Sequence, residues 1–291
     1  MHWNKRITAE LSMLLVAFIW GTTFVIVKNA LADIGPFLFL GIRFIIAFLF
    51  LSLLFYKQLR EITRSTIFYG CIIGVFLFIG YVFQTIGLIY TTSSNAGFIT
   101  GLNVVIVPII YALLHKRLPN YKIIFSVILA SIGLFLLSLQ GNNLNIGYGD
   151  SLVLVCAFGF AFHIIAVDRY SHQHNPIAIT CVQILFVGLL CMGIGLATEP
   201  WPTHFSFNTV KAIMITSILA TSLAFLLQNS MQKYSTPSRF AVVLATEPVF
   251  AAVAGYLWAN EMFSERALVG AILILIAMLL AILNGRNETE V

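Results

Sequence analysis

Residues 10–30, ELSMLLVAFIWGTTFVIVKNA, and residues 150–170, DSLVLVCAFGFAFHIIAVDRY, decide the fold between them. Each is an apolar run of about the 20 residues that carry a helix across a bilayer. The second also restates the first, 140 positions on. Leu14 recurs as Leu154, Ala17 as Ala157, Phe18 as Phe158 and Val27 as Val167, and past the run Pro36 meets Pro176 and Leu49 meets Leu189. Further along, the offset drifts to 144, pairing Gln84 with Gln228 and Tyr90 with Tyr234. Leu and Val matches arise easily in an apolar chain. Matched Pro, Gln and Tyr at nearly one offset carry more weight, and loop insertions explain the drift.

Outward from this pair, apolar runs fall at 10–30, 36–56, 67–89, 95–114, 121–139, 149–168, 176–198, 209–231, 238–258 and 266–284. They predict an all-α integral membrane protein of ten transmembrane helices, arranged as two five-helix repeats, residues 1–145 and 146–291. Five is odd, so the second repeat enters the membrane from the side opposite the first. Inverted repeats of this kind are a transporter architecture, with the substrate site near the midplane where the repeats meet. Ala30-Leu31-Ala32 resembles a signal-peptidase site, but the run before it is longer than a signal segment and has its counterpart at 150–170. It is therefore read as a retained span.

Composition agrees. Of 291 residues, 60% are hydrophobic and 9% charged, whereas a soluble domain carries about 25% charged residues. The net charge of +5 does not point to nucleic acid, because the basic residues sit in short loops between apolar runs. With a cytoplasmic N-terminus, twelve of them fall inside: Lys5, Arg6, Lys57, Arg60, Arg64, Lys116, Arg117, Lys122, Arg169, Lys233, Arg239 and Arg286. Lys28, Lys211 and Arg266 fall outside, and Arg43 lies within a span. This bias sets the orientation and places both termini in the cytoplasm. The four cysteines, Cys71, Cys156, Cys181 and Cys191, all lie in apolar runs and read as packing residues, with no metal site or disulfide framework.

Polar residues inside spans each need a reason. Glu247 lies about nine residues into the ninth span, roughly 14 Å deep. Pro248 behind it cannot donate an N–H, which frees an upstream carbonyl near the midplane. The carboxylate either binds a cation or proton or is a protonated or hydrogen-bonded structural group. His163, whose repeat partner is Thr23, is either a packed hydrogen-bonded residue or a proton carrier. Glu247 and His163 are the coupling candidates. Arg43 and Lys28 read first as structural charges, Arg43 pairing with Asp33 or Asp150 or snorkelling, Lys28 snorkelling. An anionic substrate is the alternative for Arg43.

Gln84 and Gln228 are repeat mates at mirrored depths. Asn103 lies near mid-depth, with Pro248 as its approximate counterpart. Trp20, Tyr81 and Tyr90 offer aromatic faces, and Trp20 is too deep for an interfacial belt. Trp20, Thr23, Tyr81, Gln84, Asn103, His163, Gln228 and Glu247 form the candidate cavity lining, with plain packing as the competing reading. Gly70 and Gly74, and Gly97 and Gly101, are spaced for close helix approach. No catalytic signature is present. His172 and His174 share a loop without the partners a metal site needs. No cofactor is expected.

These residues together resemble the EamA-type members of the drug/metabolite transporter superfamily. The resemblance rests on ten spans, the run Trp20-Gly21-Thr22-Thr23-Phe24, Pro36 followed by Arg43, and Ala96-Gly97-Phe98 ahead of Pro108. Glu247-Pro248 and Glu261 after the ninth span complete it. Lys116 stands at the first-half position of Glu261, so no role of that glutamate carries to both halves. The resemblance implies a central cavity lined by spans 1–4 and 6–9, with the fifth and tenth peripheral. It also implies a small-molecule substrate, an amino acid or an amphipathic compound, exported or taken up. The expected partners are that substrate and the lipid bilayer; a homodimer is left open. A membrane-embedded enzyme would need acid–base groups converging at a membrane face, and a sensor would need an output domain; the sequence offers neither.

Overall fold

The computed structural model describes residues 2–60, 62–116, 118–138, 147–171, 174–258 and 264–283. The turn expected around 141–145, the boundary between residues 145 and 146, and Arg117, His172, Glu261 and Arg286 lie outside the described residues. Among those described, all regular structure is helical. Nine helices are long and apolar enough to span a bilayer, and a tenth apolar helix is shorter.

In chain order the spans are α1 (His2–Ala30), α2 (Pro36–Leu54), α3 (Arg64–Tyr90), α4 (Ser93–His115), α5 (Tyr121–Ser138), α6 (Tyr148–Ser171), α7 (Pro176–Thr198), α8 (Phe207–Tyr234), α9 (Pro237–Trp258) and α10 (Glu265–Leu283). Their starts are written locally. Pro36, Pro176 and Pro237 stand in first turns, where the missing N–H costs nothing. Thr63, Thr92, Asn175 and Ser206 cap α3, α4, α7 and α8 with side-chain oxygens. The α2 start is capped from a distance. Glu199, just past α7, accepts from Phe37 N at 2.9 Å and Leu38 N at 2.8 Å, a carboxylate at the positive end of the helix.

The repeats are inverted. On the face where α1 begins, the near face, Arg6 Nη2 donates to Ile282 O (3.2 Å), Ser235 donates to Glu10 (3.3 Å), and Ser65 lies 3.4 Å from His174. On the far face Asp33 accepts from Thr209 (2.6 Å), and Asp150, at the start of α6, accepts from Thr91 (2.5 Å). The first helices of the two repeats thus start on opposite faces. Contacts between elements obey the exchange that this implies. α3 packs on α6 as α8 packs on α1, α3 on α7 as α8 on α2, and α4 on α6 as α9 on α1. The pairs α2–α7, α4–α9 and α5–α10 map onto themselves. The α5–α10 pair stands at the side, its lipid faces carrying Phe125, Ile128, Ile132, Val269, Ile272 and Leu279 exposed.

Three spans depart from regular α-helix. α4 breaks at Leu102, between Ser93–Gly101 and Asn103–His115, and α9 breaks between Leu244 and Glu247. The breaks are repeat mates, so Asn103 and Glu247 each open a half-helix at mid-depth. The counterpart of Asn103 is therefore Glu247, one residue before the Pro248 that the approximate offset indicated. In α8, Thr216–Leu223 is π-helical, while the corresponding part of α3 is regular. Glycines set the closest helix approaches. At Gly21 a Cβ would lie 2.5 Å from Glu247 O, and at Gly159 one would lie 2.7 Å from Gly80 N. The pairs singled out by spacing also pack tightly, Gly70 and Gly74 on Val182 and Phe186 of α7, and Gly97 and Gly101 on Ala251 and Pro248 of α9.

Candidate functional site

A cavity lies at mid-depth between the repeats. Trp20, Thr23, Phe24 and Val27 of α1, Arg43 of α2, Tyr81, Gln84, Thr85 and Leu88 of α3, and Thr100 and Asn103 of α4 line one side. Phe160 and Ile164 of α6, Gln228 of α8, and Leu244 and Glu247 of α9 line the other. About 40 Å³ is open to the centres of water-sized molecules, room for about three waters at ~10–15 Å³ each. The lining runs outward. Leu88 and Val27 lie about 3 and 5 Å along their helices from the far-face ends, whereas Ile164 and Leu244 stop about 10 Å short of the near-face ends.

Five pairs of repeat mates face one another across this space: Trp20 with Phe160, Phe24 with Ile164, Gln84 with Gln228, Thr100 with Leu244, and Asn103 with Glu247. The cavity therefore sits on the axis relating the repeats. Its chemistry is not symmetric, because an amide on one side stands opposite a carboxylate on the other.

Arg43 supplies the cavity's cation. Its Nε donates to Thr221 Oγ1 at 2.7 Å, and Nη2 donates to Tyr81 OH at 3.3 Å and Ala220 O at 3.4 Å. The guanidinium lies 4.7 Å from the Tyr81 ring centroid, a cation–π contact in a desolvated setting. Trp20 Nε1 also donates to Ala220 O, at 2.8 Å. Two long-range donors thus meet on one carbonyl inside the π-helical stretch, where i→i+5 bonding disturbs the usual ladder. Asp33 and Asp150, the partners expected for Arg43, are engaged elsewhere. Asp33 takes the hydroxyls of Ser206 and Thr209, and Asp150 takes Thr91 Oγ1 and Gly147 N. Arg43 is held by neutral acceptors and its Nη1 has no partner among the described residues. Asp33 lies between spans, and the Ser206 and Thr209 hydroxyls hold its carboxyl below the ordinary carboxylate range.

Glu247 is 5% exposed and carries no hydrogen bond or ion pair among the described residues. Gln84 Nε2 donates to Thr100 Oγ1 at 3.1 Å. Asn103 Oδ1 and Gln228 Oε1 are buried without partners among the described residues. Tyr81 is held edge-on by Phe44, Phe160 and Phe225.

Of the residues singled out in the sequence, Trp20, Thr23, Tyr81, Gln84, Asn103, Gln228 and Glu247 share this cavity, and Arg43 joins them. His163 does not line it; buried on the near side, its Nε2 lies 2.9 Å from Gln183 Oε1. Lys28 does not either, since its Nζ donates to Thr91 O at 2.5 Å. Tyr90 faces outward against Tyr148. The sequence reading passed over Thr85, Thr100 and Phe160. Hydroxyls bond to their own helix and so raise no alarm in a span, and one Phe among 25 carries no signal without the fold.

Comparison with known proteins places this arrangement. A solved crystal structure shares the fold with a TM-score of 0.76, covering 95% of this chain and 98% of that one at 18% identity. An uncharacterized transporter of Archaeoglobus fulgidus is 38% identical over 283 residues, 96% of this chain and 87% of its own length. A chloroplastic WAT1-related protein of Arabidopsis thaliana is 25% identical over 93% of this chain and 68% of its own. The uncharacterized transporter YoaV of Bacillus subtilis is 24% identical over 91% and 93%. The model of the EamA-like transporter family matches twice, at residues 7–139 and 147–283, and the chain belongs to that family.

Proposed function

We propose that this protein is a secondary transporter that carries a small metabolite, amino acid-like or amphipathic, across the cytoplasmic membrane by alternating access. Residues 1–145 and 146–291 are the two units that rock against each other, and both termini lie in the cytoplasm. The observation that supports this is the position of the cavity on the repeat axis. A site lined by repeat mates keeps nearly the same walls whichever face it opens to, which is what carrying one substrate between two openings requires.

Within this reading Trp20, Tyr81 and Phe160 form the aromatic wall. Arg43 presents Nη1 to an anionic or carbonyl group, and Gln84, Asn103 and Gln228 supply amides that turn to offer either donor or acceptor. Glu247 is the site of proton or cation coupling, ahead of His163, which is committed to Gln183. The amide at the mated position, Asn103, does not titrate, so one carboxylate serves both openings.

The test is transport by purified protein in proteoliposomes, with amino acids and amphipathic amines as probes, with and without a pH gradient. Accumulation driven by the gradient and lost in Glu247→Gln is the expected result. Transport indifferent to the gradient removes the coupling role of Glu247, and no flux of any probe in either direction removes the transporter reading.

A further inference from the structure

The repeat has a consequence on the near side of the cavity, where the structure is packed shut. The outer lining includes Thr23, Arg43, Gln84, Thr85 and Leu88. Carried through the repeat, at offsets of 140 for α1 and α2 and 144 for α3, these positions become His163, Gln183, Gln228, Asn229 and Gln232. All five are polar, and all are at most 2% exposed.

Their hydrogen bonding is incomplete. His163 meets Gln183 at 2.9 Å, Asn229 Nδ2 donates to Thr180 Oγ1 at 2.8 Å, and Gln232 Nε2 donates to Ile164 O at 2.5 Å. Gln183 Nε2, Gln228 Oε1, Asn229 Oδ1 and Gln232 Oε1 have no partner among the described residues. Turning an amide by 180° exchanges which atom is unpaired and does not satisfy the group. Three half-paired amides in this layer, with Gln228 Oε1 unpaired at its edge, are costly in a membrane protein. Packing does not demand them, since Leu88 fills the position mated to Gln232 with an apolar side chain. Above the layer the near face is closed by Arg6, which donates to Ile282 O and pairs with Glu10 at 3.7 Å, and by Ser235 on Glu10.

We infer that His163, Gln183, Asn229 and Gln232, with Gln228 at their border with the open cavity, line a second half-cavity, sealed here, through which the substrate passes on the near side. This rests on the alternating-access reading and gives it residues. In the state that opens to the near face these amides meet water and substrate, and the outer walls close. The path they line is rich in amide donors and acceptors and carries no fixed charge. It suits a polar solute that hydrogen-bonds through several groups and does not suit a purely hydrophobic one.

Cysteine accessibility tests this in the full chain, with the four native cysteines replaced and membrane-impermeant thiol reagents applied to one face of oriented vesicles. Leu88→Cys is expected to react from the far face. Asn229→Cys and Gln232→Cys are expected to react from the near face alone, at least tenfold faster than the packed-core control Val187→Cys. Reacting Leu88→Cys first with a bulky maleimide, which props the outer cavity open, is expected to slow near-face labelling of Gln232→Cys in the double variant at least tenfold. Hydrogen exchange of residues 228–234 in the unsubstituted protein gives a reading free of mutation, expected to exceed that of residues 181–187.

Labelling of Asn229→Cys and Gln232→Cys no faster than Val187→Cys, with slow exchange at 228–234, overturns the inference. It leaves the transporter reading intact if proteoliposomes still move a probe. Labelling from both faces at once indicates a continuous channel and overturns both.

Discussion

Replacing Gly21 by alanine isolates the closest approach of a helix glycine to another helix's main chain. The added Cβ would stand 2.5 Å from Glu247 O, 2.7 Å from Phe250 Cβ and 2.9 Å from Ala251 N. Two of these are main-chain atoms, which cannot step aside as a side-chain tip can. Reaching ordinary contact at 3.4 Å forces α1 and α9 apart by about 1 Å, and dispersion is lost along the whole interface. Overpacking of this kind costs about 1–3 kcal/mol. The methyl also adds helix propensity of ~0.5–1 kcal/mol, which obscures a single measurement. Gly193→Ala supplies the reference. It gains the same propensity, and its Cβ would meet nothing within 4 Å. The difference between the two variants is the contact, so Gly21→Ala should be less stable than Gly193→Ala by about 1–3 kcal/mol, roughly 5- to 150-fold in the folding equilibrium. Thermal unfolding of both in one detergent reads this as a lower midpoint by a few degrees. The shift falls between Trp20 and Glu247, so transport should drop as well. Equal midpoints for the two alanine variants would refute the argument that main-chain contact at Gly21 sets the α1–α9 distance.

Other outcomes follow from the same geometry. Tyr81→Phe removes the 3.3 Å acceptor from Arg43 Nη2 and leaves Ala220 O at 3.4 Å. A hydrogen bond to a charged group contributes about 1.5–3 kcal/mol, so the variant should melt lower, and an unchanged melting point would mean that Arg43 re-pairs freely. At the far face, Asp33 titrates below its ordinary range because Ser206 and Thr209 donate to it. A depressed folded-state value means the carboxylate's contribution is complete above the unfolded value and fades as pH falls through the folded one. Stability should therefore drop in that acidic window, and Asp33→Asn should flatten the drop; an identical acid limb in both proteins contradicts this.

The cavity also shows where two nearly equivalent halves differ. Both broken spans place one polar residue at mid-depth on the axis, Asn103 from α4 and Glu247 from α9. Had both been carboxylates, their mutual repulsion would have raised the cost of charging either. The asymmetry extends to α8, whose π-helical stretch has no counterpart in α3 and whose Ala220 carbonyl anchors Trp20 and Arg43.

Ten apolar runs, their short connections and the recurrence of residues 10–49 at 150–189 determined the bundle and its inversion without coordinates. Span length and the parity of five are one-dimensional facts, and the bilayer imposes them on any chain of this composition. The candidates Trp20, Tyr81, Gln84, Asn103, Gln228 and Glu247 were legible for a related reason: a polar or aromatic group at mid-depth is anomalous wherever it packs. Tertiary structure alone decided the pairings. Arg43 binds neutral oxygens and leaves both aspartates to local hydroxyls, and His163 turns away to Gln183. Only the fold set Asn103 opposite Glu247, extended the cavity's lining toward one face and buried Asn229 and Gln232 behind it. Partner choice depends on how ten helices are rotated and how closely glycines let them approach, and periodicity along a chain fixes neither.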